Sequence, residues 1–249
     1  MTVVTQTASK EEVERFLAST EFSGYQAIPL PHGLKVPGRD RSRRAADLLG
    51  DRVRGKSMLD VGTYYGYFPY EAIERGATSA AGIEMDPERF AIARRIAELH
   101  GDRYRILQGR VEDQSFDQRF DVVLLLNVLH HVLDPVGILR QLAEICNETL
   151  VVEFCLADDP ECLSRLGGGE RKPGARTLAR LRSGLLRLAA WKLPIMTVAD
   201  IPYHRTFYFS REAFRNLFVV HHRLFDDVEF LPTKMKRRRT VALCRPAKR

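Results

Sequence analysis

The stretch Leu59-Asp60-Val61-Gly62-Thr63-Tyr64-Tyr65-Gly66-Tyr67-Phe68 places a carboxylate at the end of a short apolar run and glycines directly after it. Glycine lets a backbone approach a ligand closely and take positive φ, and a helix that starts there aims its first amides at whatever anionic group sits above them. A second carboxylate, Glu84, ends the next apolar run 22 residues beyond Gly62. From that position an acid accepts hydrogen bonds from both hydroxyls of an adenosine ribose. Two carboxylates in one pocket match a ligand that carries a positive charge as well as a ribose and are poorly matched to a pyrophosphate. The plain alternative is that Asp60 and Glu84 cap helices or face solvent at strand ends.

A proton acceptor is the second requirement of much group-transfer chemistry. His130 and His131 follow the most apolar run of the chain, Phe120 to Leu126, and so fall at the crevice outside the carboxyl ends of a parallel sheet. Imidazole, with an ordinary pKa near ~6.5, removes a hydroxyl proton at neutral pH; the competing role is packing beneath the sheet and capping the next helix. Glu153, near the end of a later apolar run, and the group Tyr203, His204 and Arg205, expected in a loop that folds over the cleft, are the candidates for contacting an acceptor. No Ser/His/Asp order, P-loop or HExxH is present, so hydrolase, nucleotide triphosphatase and metalloprotease readings have no support, and no metal site is expected.

The elements that must carry these residues alternate. Ser9 followed by acids and by Val13, Phe16 and Leu17 predicts a capped N-terminal helix. Pro29, Pro31, Gly33, Pro37 and Gly38 break regular structure before a short basic helix at Ser42 to Leu49. Strands are expected at Met58–Val61, Ala80–Glu84, Tyr104–Leu107, Phe120–Leu126 and Leu150–Phe154, with helices after the glycine turn, at Pro87–His100 and near Pro135–Ile145. Near-continuous apolar strands joined by helices indicate a parallel sheet covered on both faces. A capped helix from Ser210 and strands near Val228–Phe230 and Thr240–Leu243 complete the expected α/β order. The divisions are a helical cap at 1–52, a core at 53–156, a basic insertion or lid at 157–206 and C-terminal strands at 207–249.

The net charge of +7 is regional. Residues 165–192 hold eight Lys/Arg against one acid, residues 234–249 hold eight more and no acid, and the remainder is net acidic. Between 165 and 193 the residues Leu178, Leu181, Leu185 and Leu188 share one side of an amphipathic helix and Arg176, Arg180 and Arg187 the other. The segment is expected either to cover the sheet or, hinged at Gly167 to Gly169, to recruit a phosphate-bearing acceptor through its arginines. Apolar runs are too short to span a membrane and Met1 to Lys10 lacks a signal peptide's apolar region, so a cytoplasmic address is expected. The four cysteines show no CxxC pair and are expected as reduced, mostly buried thiols.

Over about 57–155 the chain resembles the class I S-adenosylmethionine-dependent methyltransferases. The resemblance implies a Rossmann-like fold with a seven-stranded, mostly parallel sheet and helices on both faces. It also implies S-adenosylmethionine as cofactor and S-adenosylhomocysteine as product. Asp60 would meet the methionine amino group, Gly62 and Gly66 would line the turn, Glu84 would hold the ribose, Val111-Glu112-Asp113 would flank the adenine, and Asn127 and Val128 would close the pocket. Thr63, Tyr67 and Met85 belong to the same implied set. Tyr64 departs from the family's GxGxG pattern. More narrowly, Ile28 to Gly38, the DVGTxxGYF turn, Leu129 to Pro135 and Tyr203 to Ser210 are similar to a branch containing tRNA wobble-uridine and glycan-modifying methyltransferases. In the tRNA enzymes with a carboxylated cofactor, a tyrosine precedes and an arginine follows the histidine after strand four. His130 and Val132 stand there in this chain, so plain methyl transfer is expected. The acceptor is expected to be a small-molecule or glycan hydroxyl, with RNA or a catalytically inactive binding module as alternatives and a nucleotide-binding oxidoreductase as a weaker third. No oligomeric state is implied.

Overall fold

The computed structural model describes residues 6–157, 194, 196–201, 204–232 and 239–248. It divides into two compact units, the first ending at Leu124 and the second beginning at Leu125.

In the first unit, helix α1 (Lys10–Ser19) begins at a reciprocal cap. The Glu12 amide donates to the Ser9 hydroxyl at 3.3 Å, and the Ser9 amide donates to the Glu12 carboxylate at 2.9 Å. This satisfies two amides that the first helical turn would leave unpaired. The Pro/Gly-rich stretch that follows contains a hairpin that the sequence did not announce. Strands β1 (Ile28–Pro29) and β2 (Lys35–Val36) pair antiparallel, Ile28 opposite Val36; strands of two residues are too short to show alternation. Helix α2 (Ser42–Leu48) leads into β3 (Ser57–Val61), α3 (Tyr67–Glu74), β4 (Ser79–Glu84), α4 (Pro87–Leu99), β5 (Arg105–Gln108) and β6 (Phe120–Leu125).

β3 pairs parallel with β4, β4 pairs parallel with β5, and β6 lies on the other side of β3. The chain order therefore reverses at β3, and its carboxyl end is the switch point where open α/β sheets take ligands. Met58, Leu59, Val61, Ile83 and Val122 to Leu125 are all buried, the mark of a sheet covered on both faces.

In the second unit, helix α5 (Pro135–Ile145) starts where the Gly137 amide donates to the Asp134 carboxylate at 2.8 Å. It is followed by β7 (Cys146–Leu156), β8 (Met196–Ile201), β9 (His204–Phe209), α6 (Arg211–Arg215), a wide π turn over Asn216–His221, β10 (Phe225–Leu231) and β11 (Arg239–Pro246). β11 runs antiparallel to both β7 and β10. Phe154, Phe209, Phe214, Phe218 and Phe225 are fully buried, with Phe154 and Phe214 stacked at 4.5 Å between centroids.

The seven strands expected from sequence are all present, in an α/β fold with a mostly parallel sheet flanked by helices. The correction concerns β8 and β9. His204 and Arg205, expected in a loop, lie in β9 opposite Ile201 and Asp200 of β8, and the end of β9 pairs parallel with β7. Neither β8 nor β9 is among the strands expected from sequence; the run Thr206 to Phe209, β-branched then aromatic, carries the strand preference, and polar His204 and Arg205 ahead of it read as loop. The strand also crosses the boundary set at 206/207. Cys146, Cys155 and Cys244 are buried. No helix among the described residues is long and apolar enough to cross a membrane.

Candidate active site

The first unit gathers its polar side chains at the carboxyl ends of β3 and β4. Register sets Asp60 opposite Gly82 and Val61 opposite Ile83, so the two strands end level. The amides of Gly62 and Thr63 both donate to the Ile83 carbonyl at 2.9 Å, which draws the glycine turn onto the end of β4. Gly62, Tyr64 and Gly66 take φ of 75°, 61° and 86°. Tyr64 thus adopts a left-handed backbone, a conformation that costs a side-chain-bearing residue about 1–2 kcal/mol. Gly82 is required by its neighbour, because a Cβ there would lie 2.7 Å from the Thr63 methyl carbon.

The two carboxylates are in opposite states. Glu84 is buried and already holds its surroundings in place. Its Oε2 accepts from the Tyr64 amide at 2.9 Å and its Oε1 from the Asp86 amide at 3.0 Å. Glu84 thus braces two turns without capping a helix or facing solvent, and carboxylate oxygens have further lone pairs for ribose hydroxyls. Asp60 is 2% exposed, and its Oδ2 has no hydrogen-bond partner. Burial pushes its carboxyl up to about 7; the neighbouring Thr63 hydroxyl opposes this and the like charge of Glu84 adds to it. A buried carboxylate oxygen without a donor is costly, and it is the feature a cationic ligand group would satisfy.

Around this pair, Met85 is 58% exposed directly after Glu84. The Gly109 amide donates to the Glu84 carbonyl at 3.0 Å. A single 3-10 turn spans Val111–Asp113; Val111 is buried, while Glu112 and Asp113 are exposed and Glu112 pairs with Arg110 at 3.1 Å. Tyr67 is buried in the first turn of α3.

The second unit holds the remaining candidates. Asn127 takes φ of 61° with a buried side-chain oxygen that has no partner, and the Val128 carbonyl accepts the His131 amide at 2.7 Å. His130 is buried and His131 exposed, their rings 3.9 Å apart. Glu153, 3% exposed, lies in β7 with its carboxylate 3.9 Å from the Arg239 guanidinium of β11. That ion pair ties one arginine of the C-terminal basic run to the sheet. Tyr203, Arg176, Arg180, Arg187, Cys162 and the expected lid helix lie outside the described residues, and only the backbone of His204 and Arg205 is described. Among the described residues no group of His, Cys, Asp and Glu is placed to hold a metal ion. Gly82, Asp86 and the ring of Tyr64 were not singled out from sequence; a glycine inside a strand pattern was the available signal for the first.

The family model described as a methyltransferase domain matches residues 36–222. The tRNA U34 carboxymethyltransferase of Dichelobacter nodosus is 38% identical over 114 residues, which is 44% of this chain and 36% of that protein. The protein of the same name from Alteromonas mediterranea is 28% identical over 76% of this chain and 54% of its own length. The chain therefore spans only about a third to a half of these relatives. Among solved structures, the N-terminal domain of EvdMO1 in the presence of SAH and D-fucose aligns over 97% of this chain and 98% of its own, with a TM-score of 0.64 at 17% identity. The family match takes in the glycine turn, both carboxylates and the histidine pair: the chain belongs to the methyltransferase-domain family.

Proposed function

We propose that the protein is an S-adenosylmethionine-dependent methyltransferase that acts on a hydroxyl of a small molecule or glycan. The observation that carries this reading is the pair Asp60 and Glu84, one buried carboxylate with an oxygen that lacks a donor beside another already fixed by two amides. They fit a ligand that brings an ammonium and a ribose. When bound, the cofactor supplies a methyl group already activated by a sulfonium. Asp60 would hold the ammonium, Glu84 the ribose, the turn from Gly62 to Gly66 the space between them, and Met85 and Val111 the adenine. Asn127 and Val128 stay proposed cofactor contacts.

What remains for the chain is to align an acceptor and take its proton. Of the two histidines, His131 is exposed and reachable by an acceptor, while His130 is buried and packs against its ring. We assign proton removal to His131 and the orientation of its ring to His130. Glu153 is held in the sheet by Arg239, which favours an anchoring role over acceptor contact. Arg176, Arg180 and Arg187 stay the proposed contacts for a phosphate-bearing acceptor, and Tyr203, His204 and Arg205, the last two in β9, stay proposed acceptor contacts. The solved EvdMO1 domain was studied with D-fucose, which makes a sugar hydroxyl the first acceptor to assay. The second reading is a tRNA base, favoured by the names of two relatives.

The test is calorimetry with S-adenosylmethionine, followed by mass spectrometry of cell extract incubated with isotopically labelled cofactor. Binding and a small labelled product support the proposal, a labelled RNA nucleoside supports the second reading, and absence of binding overturns both. His131→Ala is expected to slow turnover by roughly 10²- to 10⁴-fold with cofactor affinity retained; unchanged turnover removes His131 from the chemistry.

A further inference from the structure

The proposed cofactor reading leaves unexplained why a tyrosine occupies the left-handed position of the glycine turn. The surroundings of Tyr64 give the reason. Its ring lies 4.6 Å from the ring of Tyr25 and 4.8 Å from the Arg89 guanidinium, and its hydroxyl donates to the Ser23 hydroxyl at 2.7 Å. Tyr25 is covered in turn by the Arg41 guanidinium at 4.6 Å, which also donates to the Tyr25 carbonyl at 3.2 Å. One residue further on, the Tyr65 amide donates to the buried Gln26 side-chain oxygen at 3.3 Å, and the Phe22 ring meets Tyr65 edge-on at 6.2 Å. Residues 22, 23, 25 and 26 thus all reach Tyr64 or Tyr65. The segment is seated by Gly38, where a Cβ would stand 2.4 Å from the Gln26 backbone carbon, so no other residue lets it lie there.

Resting on that cofactor reading, we infer that Tyr25, Tyr64 and Arg89 are positioning residues for the cofactor and act through Glu84. The chain of contact is short: Tyr25 and Arg89 hold the Tyr64 ring, the held ring fixes a backbone conformation that a non-glycine residue otherwise leaves, and the Tyr64 amide in that conformation donates to Glu84 Oε2. The N-terminal segment from Phe22 to Gln26 is therefore part of the cofactor site without having to touch the cofactor. A glycine at this position would leave the turn loose, and the ring sandwich replaces that freedom with a turn already in its binding shape. Pre-organisation of this kind raises affinity by removing the ordering that binding would otherwise impose.

The test uses the full chain and S-adenosylhomocysteine, with dissociation constants read by calorimetry and thermal midpoints read alongside. Tyr25→Ala and Arg89→Ala are each expected to raise the dissociation constant about threefold to tenfold, and Tyr25→Phe, which keeps the ring, is expected to match the wild type. The decisive measurement is the same pair of substitutions in a Glu84→Gln background. If the ring sandwich acts through Glu84, they change affinity there by less than twofold. Equal fold-changes in both backgrounds overturn the inference, as does unchanged affinity of the single variants. Failure of the wild-type chain to bind S-adenosylhomocysteine is a different result, which removes the cofactor reading itself and the inference with it.

Discussion

Replacing Asp60 by asparagine is expected to move stability and cofactor affinity in opposite directions. The carboxyl of Asp60 stands at about 7 in the folded chain against an ordinary value of 3.8. Because the folded-state value is raised, the stability associated with this group is fully present below about pH 4 and is lost as pH rises through 7. Each pH unit between those limits removes about 1.4 kcal/mol, so the total is somewhat over ~4 kcal/mol. Asparagine keeps the shape and has no proton to lose. Between pH 5 and pH 8 the wild type should therefore lose roughly 2.5–3 kcal/mol relative to Asp60→Asn, a change of about 5–10 °C in midpoint for a chain of this length. Thermal or urea unfolding of both proteins at the two pH values, without ligand, reads this directly. The binding arm has the reverse sign. Loss of a charged hydrogen bond costs about 1.5–3 kcal/mol, so Asp60→Asn should weaken S-adenosylhomocysteine binding by roughly ten- to a hundredfold. The wild-type affinity should also improve by up to tenfold per pH unit below 7 and level off above it, as Asp60 gives up its proton to meet an ammonium. A stability gap that stays constant from pH 5 to pH 8 would show that Asp60 titrates as an ordinary carboxyl and refute the reasoning.

Two further perturbations probe the framework. Gly82→Ala puts a methyl against the Thr63 side chain at 2.7 Å, and overpacking of this kind is expected to lower unfolding free energy by about 1–3 kcal/mol; urea midpoints unchanged from the wild type would mean the turn yields freely. Arg239→Met removes the charge facing Glu153 while keeping the stem's packing. With the pair at 3.9 Å and Arg239 16% exposed, the loss should stay near 1–2 kcal/mol, below that for a fully buried pair, again read by urea unfolding.

Legibility in the sequence followed the period and strength of each local signal. Seven of the strands are runs rich in apolar residues, and these were readable with boundary differences. The β1–β2 hairpin was not, because a ladder of two residues per strand has no period. β8 and β9 were not expected at all, because polar His204 and Arg205 precede the aromatic half of β9 and Asp200 interrupts the end of β8. The carboxylates Asp60 and Glu84 and the turn glycines were legible because spacing between consecutive strands of a parallel sheet is nearly fixed by the crossover helix. What was not legible is whatever depends on the third dimension: that Tyr64 would be held between Tyr25 and Arg89, that Glu153 would face Arg239, and that one of two adjacent histidines would be buried and the other exposed.

The contrast between the two carboxylates explains why the site needs both. Glu84 accepts one amide on each oxygen, so its orientation is set before any ligand arrives and its free lone pairs point where the fold has fixed them. Such a group selects by geometry. Asp60, at the end of the neighbouring strand, is buried with an oxygen that receives nothing, and its proton is held at about 7 by that burial. Such a group selects by charge, because only a cationic donor offsets the desolvation that its ionised form suffers. A neutral nucleoside could satisfy Glu84 and would leave Asp60 as it is. A simple amine could satisfy Asp60 and would find no use for Glu84. On the proposed cofactor reading only a ligand carrying both functions completes the two, and that conjunction, more than either residue, would separate this site from the many glycine turns that bind nucleotides.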